Sequence, residues 1–239
     1  MKRILFILTL WLAATVNTLG AGALQGKTIL FVYGGWEGHD PVGCKDLFVP
    51  WLQKEGAEVI LSDSLSVYNN KDIMGQVDLI IQTWTMGTLQ ASEENALLEA
   101  VSRGVGLAGW HGGLGDSFRN STGYQFMVGG QFVAHPGGSI HYDVEVKDKK
   151  SPLMKGIRRF HVQSELYYMH VDPCIHVLAT TRMSGEHAPW LEGVEMPVVW
   201  TKMYGQGRVV YSSIGHVAAD FQIPEVFEIM KRGICWAVK

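Results

Sequence analysis

The 239-residue chain is poor in cysteine, with only Cys44, Cys174 and Cys235. None forms a CxxC pair, so a disulfide framework and a zinc-ribbon type of metal site are both excluded. An odd number leaves at least one thiol unpaired; whether Cys44 and Cys174 pair stays open. Basic residues are not in excess, with 20 Lys and Arg against 23 Asp and Glu. No basic stripe marks a nucleic-acid surface, and no Lys/Arg run marks an anionic membrane surface. No HExxH, GxGxxG or P-loop occurs. Repeats, linkers and low-complexity tracts are also missing.

The one long apolar run is at the start. Lys2 and Arg3 precede Ile4 to Val16, and Ala21-Gly22-Ala23 fits a small-x-small cleavage pattern. The run is too short to span a bilayer of roughly 30 Å. Residues 1–23 therefore read as a signal peptide and 24–239 as the domain. The protein is expected to be exported, periplasmic or secreted, without stable membrane insertion after cleavage.

What is present is an alternation of strands and helices. Thr28–Tyr33 is a continuous apolar run ending in Gly34-Gly35, as expected of a strand buried on both faces. A helix follows over Lys45–Glu55, then strands at Ala57–Leu61 and Val77–Ile81, a helix at Glu93–Arg103 and a strand at Val105–Trp110. This pattern predicts a mostly parallel sheet with helices on both faces. Beyond it, His141–Val146, Val162–Met169, Ile175–Thr181, Pro197–Met203 and Arg208–Ser213 read as added strands, the last two joined as a hairpin through Tyr204-Gly-Gln-Gly207. A final helix covers Glu225–Val238, and Cys235 reads as one of its small core residues.

Ligands of open α/β sheets bind beyond the carboxyl ends of the strands. Three such exits carry a glycine-flanked histidine: Gly38-His39, Trp110-His111-Gly112-Gly113 and Gly215-His216. Glu165 lies in a stretch otherwise apolar. Imidazole and carboxylate together form the donor set of Zn²⁺ and related divalent ions, and histidine is also the side chain most readily poised as acid or base near neutrality. The expected metal ligands are a subset of His39, His111, Glu165 and His216, with His135 in reserve, and the expected catalytic groups are His111, Glu165 and His216. Trp36, Trp110, Asp116, Arg119, His135 and Tyr168 are expected to bind substrate, the aromatic rings suiting a sugar. A histidine beside glycine, taken alone, is more often a turn residue with a satisfied hydrogen bond, and an aromatic residue taken alone is more often core. Cys44, near a helix start, is a weaker candidate nucleophile.

Gly34-Gly35 through His39-Asp40, Gly109-Trp-His-Gly-Gly113, Gly129-Gly130 through His135-Pro136, Glu165-Leu-Tyr-Tyr168, Pro197–Trp200, Tyr204-Gly-Gln-Gly-Arg208 and Gly215-His216 together resemble the trehalose-utilisation (ThuA-like) family, over essentially the whole domain. The resemblance implies a flavodoxin-like fold similar to class I glutamine amidotransferases. Those enzymes carry Cys at the sharp turn after a central strand; here that turn carries His111, so glutamine hydrolysis is not implied. It implies a small-molecule carbohydrate ligand, a disaccharide or an oxidised (3-keto) glycoside. The expectation is a metal-dependent isomerase, lyase or hydrolase; the alternative is a non-catalytic sugar-binding protein that keeps the pocket. An exported member departs from the cytoplasmic sugar-uptake type, so the substrate does not transfer. Oligomeric state stays open, a homo-oligomer included.

Overall fold

The computed structural model describes residues 22–238. Residues 1–21 of the expected signal peptide lie outside them. Among the described residues no helix is long and apolar enough to cross a membrane.

In chain order the elements are β1 (Thr28–Gly35), α1 (Pro41–Lys54), β2 (Glu58–Ser62), α2 (Lys71–Met74), β3 (Leu79–Thr85), α3 (Ala91–Arg103), β4 (Gly106–Trp110), α4 (His111–Gly115), α5 (Thr122–Val128) and β5 (Gly130–Ala134). There follow β6 (Ser139–Val146), β7 (Phe160–Glu165), β8 (Tyr168–Val171), β9 (His176–Arg182), β10 (Glu195–Tyr204), β11 (Gly207–Ser212) and α6 (Pro224–Ala237).

Nine strands form one sheet in the order β2-β1-β3-β4-β11-β10-β9-β6-β7. The first five are parallel to one another. They carry the buried runs Ile29–Val32, Leu79–Ile81 and Val209–Tyr211, apolar on both faces because helices cover both. Phe48 of α1 packs against Trp110, Phe221 and Phe227, which seals one face between α1 and α6. On the other face Gln82 of β3 is fully buried and fully bonded. It accepts from Tyr68 Oη at 2.8 Å and donates to Tyr124 Oη at 2.6 Å and Ser117 Oγ at 3.2 Å, as a buried amide requires.

From β10 onward the sheet is antiparallel. Tyr204 pairs with Gly207, and Gly205 takes φ 58° at the first position of the two-residue loop, the place for glycine in a tight hairpin. Pro197 sits inside β10, where the register shifts beside it; a bulge is where a central strand tolerates proline.

The expected fold class is the one found. Two local expectations differ. Val162–Met169 is not one strand: β7 ends at Glu165, and after Leu166-Tyr167 the chain enters β8, which pairs with β5 in a separate two-stranded sheet. Between Trp110 and His141, where the sequence pattern placed no element, the chain forms α4, α5 and β5. These elements are short and packed by tertiary contacts, so their periodicity is too brief to read.

Candidate metal centre

The site forms where the sheet order reverses, at the carboxyl ends of β1, β3, β4 and β11. At this crevice β1 and β3 approach closely: Trp36 N–H donates to Thr85 O at 3.2 Å. Gly35, at φ 76°, makes this possible, since a Cβ there would stand 2.1 Å from Thr85 O. The chain then makes one 3₁₀ turn, Glu37–His39, and places His39 over the crevice, with its Nδ1 2.8 Å from Thr85 Oγ1.

His111 follows β4 on a sharp turn into α4. Its φ of 47° lies in the left-handed region, a conformation that for such a residue stores roughly 1–3 kcal/mol and is common at functional turns. The ring is 1% exposed. Its Nδ1 donates to Ser213 O at 2.8 Å. A carbonyl can only accept, so in the neutral ring Nε2 carries the lone pair. That Nε2 is 3.1 Å from Glu165 Oε2. His39 Nε2 is 3.8 Å from the same oxygen, and His216 Nε2 is 3.9 Å from Glu165 Oε1. All four ligand atoms lie within 4.8 Å of one another.

Burial pushes the His111 imidazole down to about 4, although its contact with Glu165 acts the other way. Burial raises the Glu165 carboxyl, but the closeness of His111, His39 and His216 outweighs it and holds the group well below the usual carboxylate range. Near neutrality the pair is therefore a neutral imidazole facing an ionised carboxylate. Two lone pairs then meet at 3.1 Å, which is repulsive unless a cation lies between them. Donor atoms about 2.0–2.1 Å from a zinc ion lie about 3.3–3.4 Å from one another, and the separations here bracket that edge. The Nδ1 contacts to Ser213 and Thr85 match the outer bonds that orient metal-binding imidazoles. By chemistry and spacing these four residues fit a divalent ion.

The other expected site residues spread out around this centre. Trp36 is 48% exposed, edge-on to His39 at 4.7 Å between ring centroids. Asp116 is buried and held bidentate by Arg119 at 2.6 and 2.7 Å. The Arg119 guanidinium lies 5.5 Å from the Phe132 ring, and exposed His135 stacks on the same ring at 5.7 Å. His135 is not among the converging four. Trp110 is corrected: at 2% exposure it stacks on Phe48 at 4.5 Å, and a ring sealed in the core has no face for a sugar. Tyr168 meets His170 at 6.2 Å and is not brought to the cluster. Its neighbour Tyr167 packs on His111 at 3.9 Å and on Phe132 at 4.5 Å. Successive residues of an extended chain face opposite ways, so a one-residue offset decides which tyrosine meets the site. Cys44 is also corrected: it is fully buried, and burial pushes its thiol up to about 12, which disarms it as a nucleophile. All three cysteines are free.

Sequence reasoning missed Tyr167, Thr85 and Ser213.

A family model described as trehalose utilisation matches residues 28–237. Solved structures with similar folds include a ThuA-like protein of Bacteroides uniformis, 17% identical, TM-score 0.71, with 92% of this chain and 93% of that chain covered. Another is a ThuA-like protein of Parabacteroides merdae, 18% identical, TM-score 0.69, covering 88% and 89%. The chain also overlays 32% of a cold-adapted β-galactosidase from Rahnella sp. R3, at 17% identity, TM-score 0.54 and 87% coverage of this chain. At these identities the likeness is one of fold. No curated protein matches the sequence.

Proposed function

The chain belongs to the trehalose-utilisation (ThuA) family, whose description points to a carbohydrate-related role, and from that premise we propose that it is a metal-dependent enzyme acting on a disaccharide or an oxidised (3-keto) glycoside. The observation that carries this reading is the meeting of three imidazoles and one carboxylate, from four distant stretches of chain, within 4.8 Å. A buried structural cluster would pair each donor with an acceptor; here the Nε2 lone pair of neutral His111 faces the Glu165 carboxylate at 3.1 Å.

His39, His111 and Glu165 are the most buried of the four and would hold the ion, a His₂Glu set of the kind used in catalytic zinc sites. When bound, the ion supplies a Lewis acid for a sugar carbonyl or hydroxyl oxygen. His216 is the most exposed of the four, at 23% of its side chain. Its Nε2 would complete the coordination or take up and return a proton on the substrate. Trp36 offers an exposed ring face beside His39, and the Arg119–Phe132–His135 group stands beyond Tyr167 on the His111 side, so the two would flank a sugar ring. Tyr167 closes the flank of His111 and keeps water from it. Isomerisation, elimination and hydrolysis are all within reach of this set. We also infer that the protein works outside the cytoplasm, because residues 1–23 carry the pattern of a cleavable signal peptide.

The test is metal analysis of protein purified without a histidine tag, followed by product analysis on plain and 3-keto disaccharides. About one equivalent of metal and turnover that His111→Ala and His216→Ala abolish without unfolding are expected. Less than a tenth of an equivalent after zinc loading, with no turnover on that panel, would overturn the proposal.

A further inference from the structure

The order of strands poses a problem that the sheet itself does not solve. His216 follows β11, whereas Glu165 ends β7, four positions along at the far edge of the sheet. At about 4.8 Å per strand, a flat sheet would separate them by about 19 Å, yet His216 Nε2 and Glu165 Oε1 are 3.9 Å apart. The β6–β7 hairpin can swing because β6 joins β9 only at Glu145 and Val146. Something other than the hydrogen-bond ladder must fix where it stops.

The segment 213–220 makes the connections. Asp220 is 8% exposed. Its Oδ2 accepts from Ser164 Oγ at 2.5 Å and from His216 N–H at 2.9 Å. One oxygen thus ties the residue before Glu165 to the backbone of His216. Asp40, the residue after His39, does the same on the other side: its Oδ1 caps α1 through Gly43 N–H at 3.0 Å, and its Oδ2 accepts from Ala218 N–H at 3.3 Å. Asp40 holds a left-handed φ of 46°, which persists in a non-glycine residue only where its surroundings fix it. Ser213 O orients His111. Every one of the four converging side chains is thus held by, or belongs to, these eight residues.

We infer that Asp220 is a positioning residue: it locks the edge hairpin to the β11 exit and so sets the distance between Glu165 and His216. Asp40 docks the His39 turn onto the same segment. The inference deepens the metal-centre reading and rests on it. Its physical basis is that outer partners hold ligand atoms in place before the ion arrives, and their loss typically weakens metal binding by roughly 10–100-fold.

The experiment compares wild type, Asp220→Ala, Asp220→Asn and Ser164→Ala. Zn²⁺ affinity is measured by chelator competition, and amide hydrogen exchange is followed on the metal-free proteins. Asp220→Ala should weaken Zn²⁺ binding by roughly 10–100-fold and speed exchange in 160–168 and 213–220, leaving β1, β3 and β4 unchanged. Asp220→Asn, which keeps one acceptor oxygen, should recover part of both effects. Ser164→Ala removes one arm alone and carries the test if Asp220→Ala does not fold. Wild-type Zn²⁺ affinity in the variants, with unchanged exchange in both segments, would overturn the inference while the metal centre stands. A wild type that binds no Zn²⁺, with exchange still accelerated by Asp220→Ala, would remove the metal reading and support the positioning role.

Discussion

In the parallel half of the sheet, His39, His111 and His216 each follow a strand of one continuous parallel ladder, which brings the three exits out at the same edge of the sheet. In the antiparallel half, Glu165 ends an edge strand with a partner on one side only. Its arrival beside the histidines depends on a curled hairpin and a few side-chain bonds. The comparison separates two ways of building one centre: imidazoles supplied by topology, and a carboxylate supplied by docking. The same division runs through the surrounding wall, since Trp36 comes from the parallel half while Phe132, His135 and Tyr167 come from the added sheet and its connections.

The largest effect should come from removing the docked contribution. Glu165→Gln eliminates the negative charge and should weaken Zn²⁺ binding by more than the roughly 10–100-fold that an outer partner is worth, with the far-ultraviolet spectrum unchanged. Chelator competition measures it; near wild-type affinity would show that the three histidines suffice and that the antiparallel half is dispensable to the centre.

Gly112→Ala attacks the topological contribution. A Cβ at 112 would lie 2.3 Å from His39 Cε1 and 2.4 Å from its Nδ1, so the ring must leave Thr85. Overpacking of this kind costs about 1–3 kcal/mol, to be read from urea unfolding, and should lower Zn²⁺ affinity as well. An unshifted midpoint would mean that His39 moves freely and is not held by the β1–β3 crevice.

Acid should sharpen the contrast in metal-free protein. The folded-state value of His111 is depressed to about 4 from 6.5, so the unfolded chain binds more protons between those values. Stability is then lost as pH falls from about 6.5 towards 4, by a contribution of about 3 kcal/mol from this group. Glu165, also depressed, adds a loss as pH falls below its unfolded value. The urea midpoint should fall further between pH 7 and pH 4 for wild type than for His111→Gln; equal falls would remove His111 as the titrating group.

The smallest effect concerns the thiols. Cys44 is sealed in the parallel half and its thiol is pushed up to about 12, whereas Cys174 is exposed at the turn before β9. A thiol reagent on folded protein should modify Cys174 promptly and Cys44 only on unfolding, as peptide mapping would show. Rapid labelling of Cys44 would mean that the α1–α6 face opens.

The parallel core was legible because its strands carry short apolar runs, and the glycine-flanked exits of β1, β4 and β11 also located His39, His111 and His216. Glu165 was legible only as a carboxylate in apolar company. The break after it was not, because Leu166, Tyr167 and Tyr168 continue the apolar pattern. Trp110 was misplaced because strand-end position says nothing about which face a ring takes, and here Phe48 claimed it. Asp220 carried no signal, since a lone acid after two alanines looks like any surface residue.

The chain's own pattern of apolar runs, glycines and histidines determined the parallel sheet and which imidazoles stand at its carboxyl edge, because strand order and hydrogen-bond spacing leave them nowhere else to go. Only the tertiary structure decided that Glu165 closes the cluster, that Tyr167 covers it and that Trp110 does not. Those outcomes depend on the bending of an edge hairpin and on bonds between residues 56 positions apart, which no local pattern encodes.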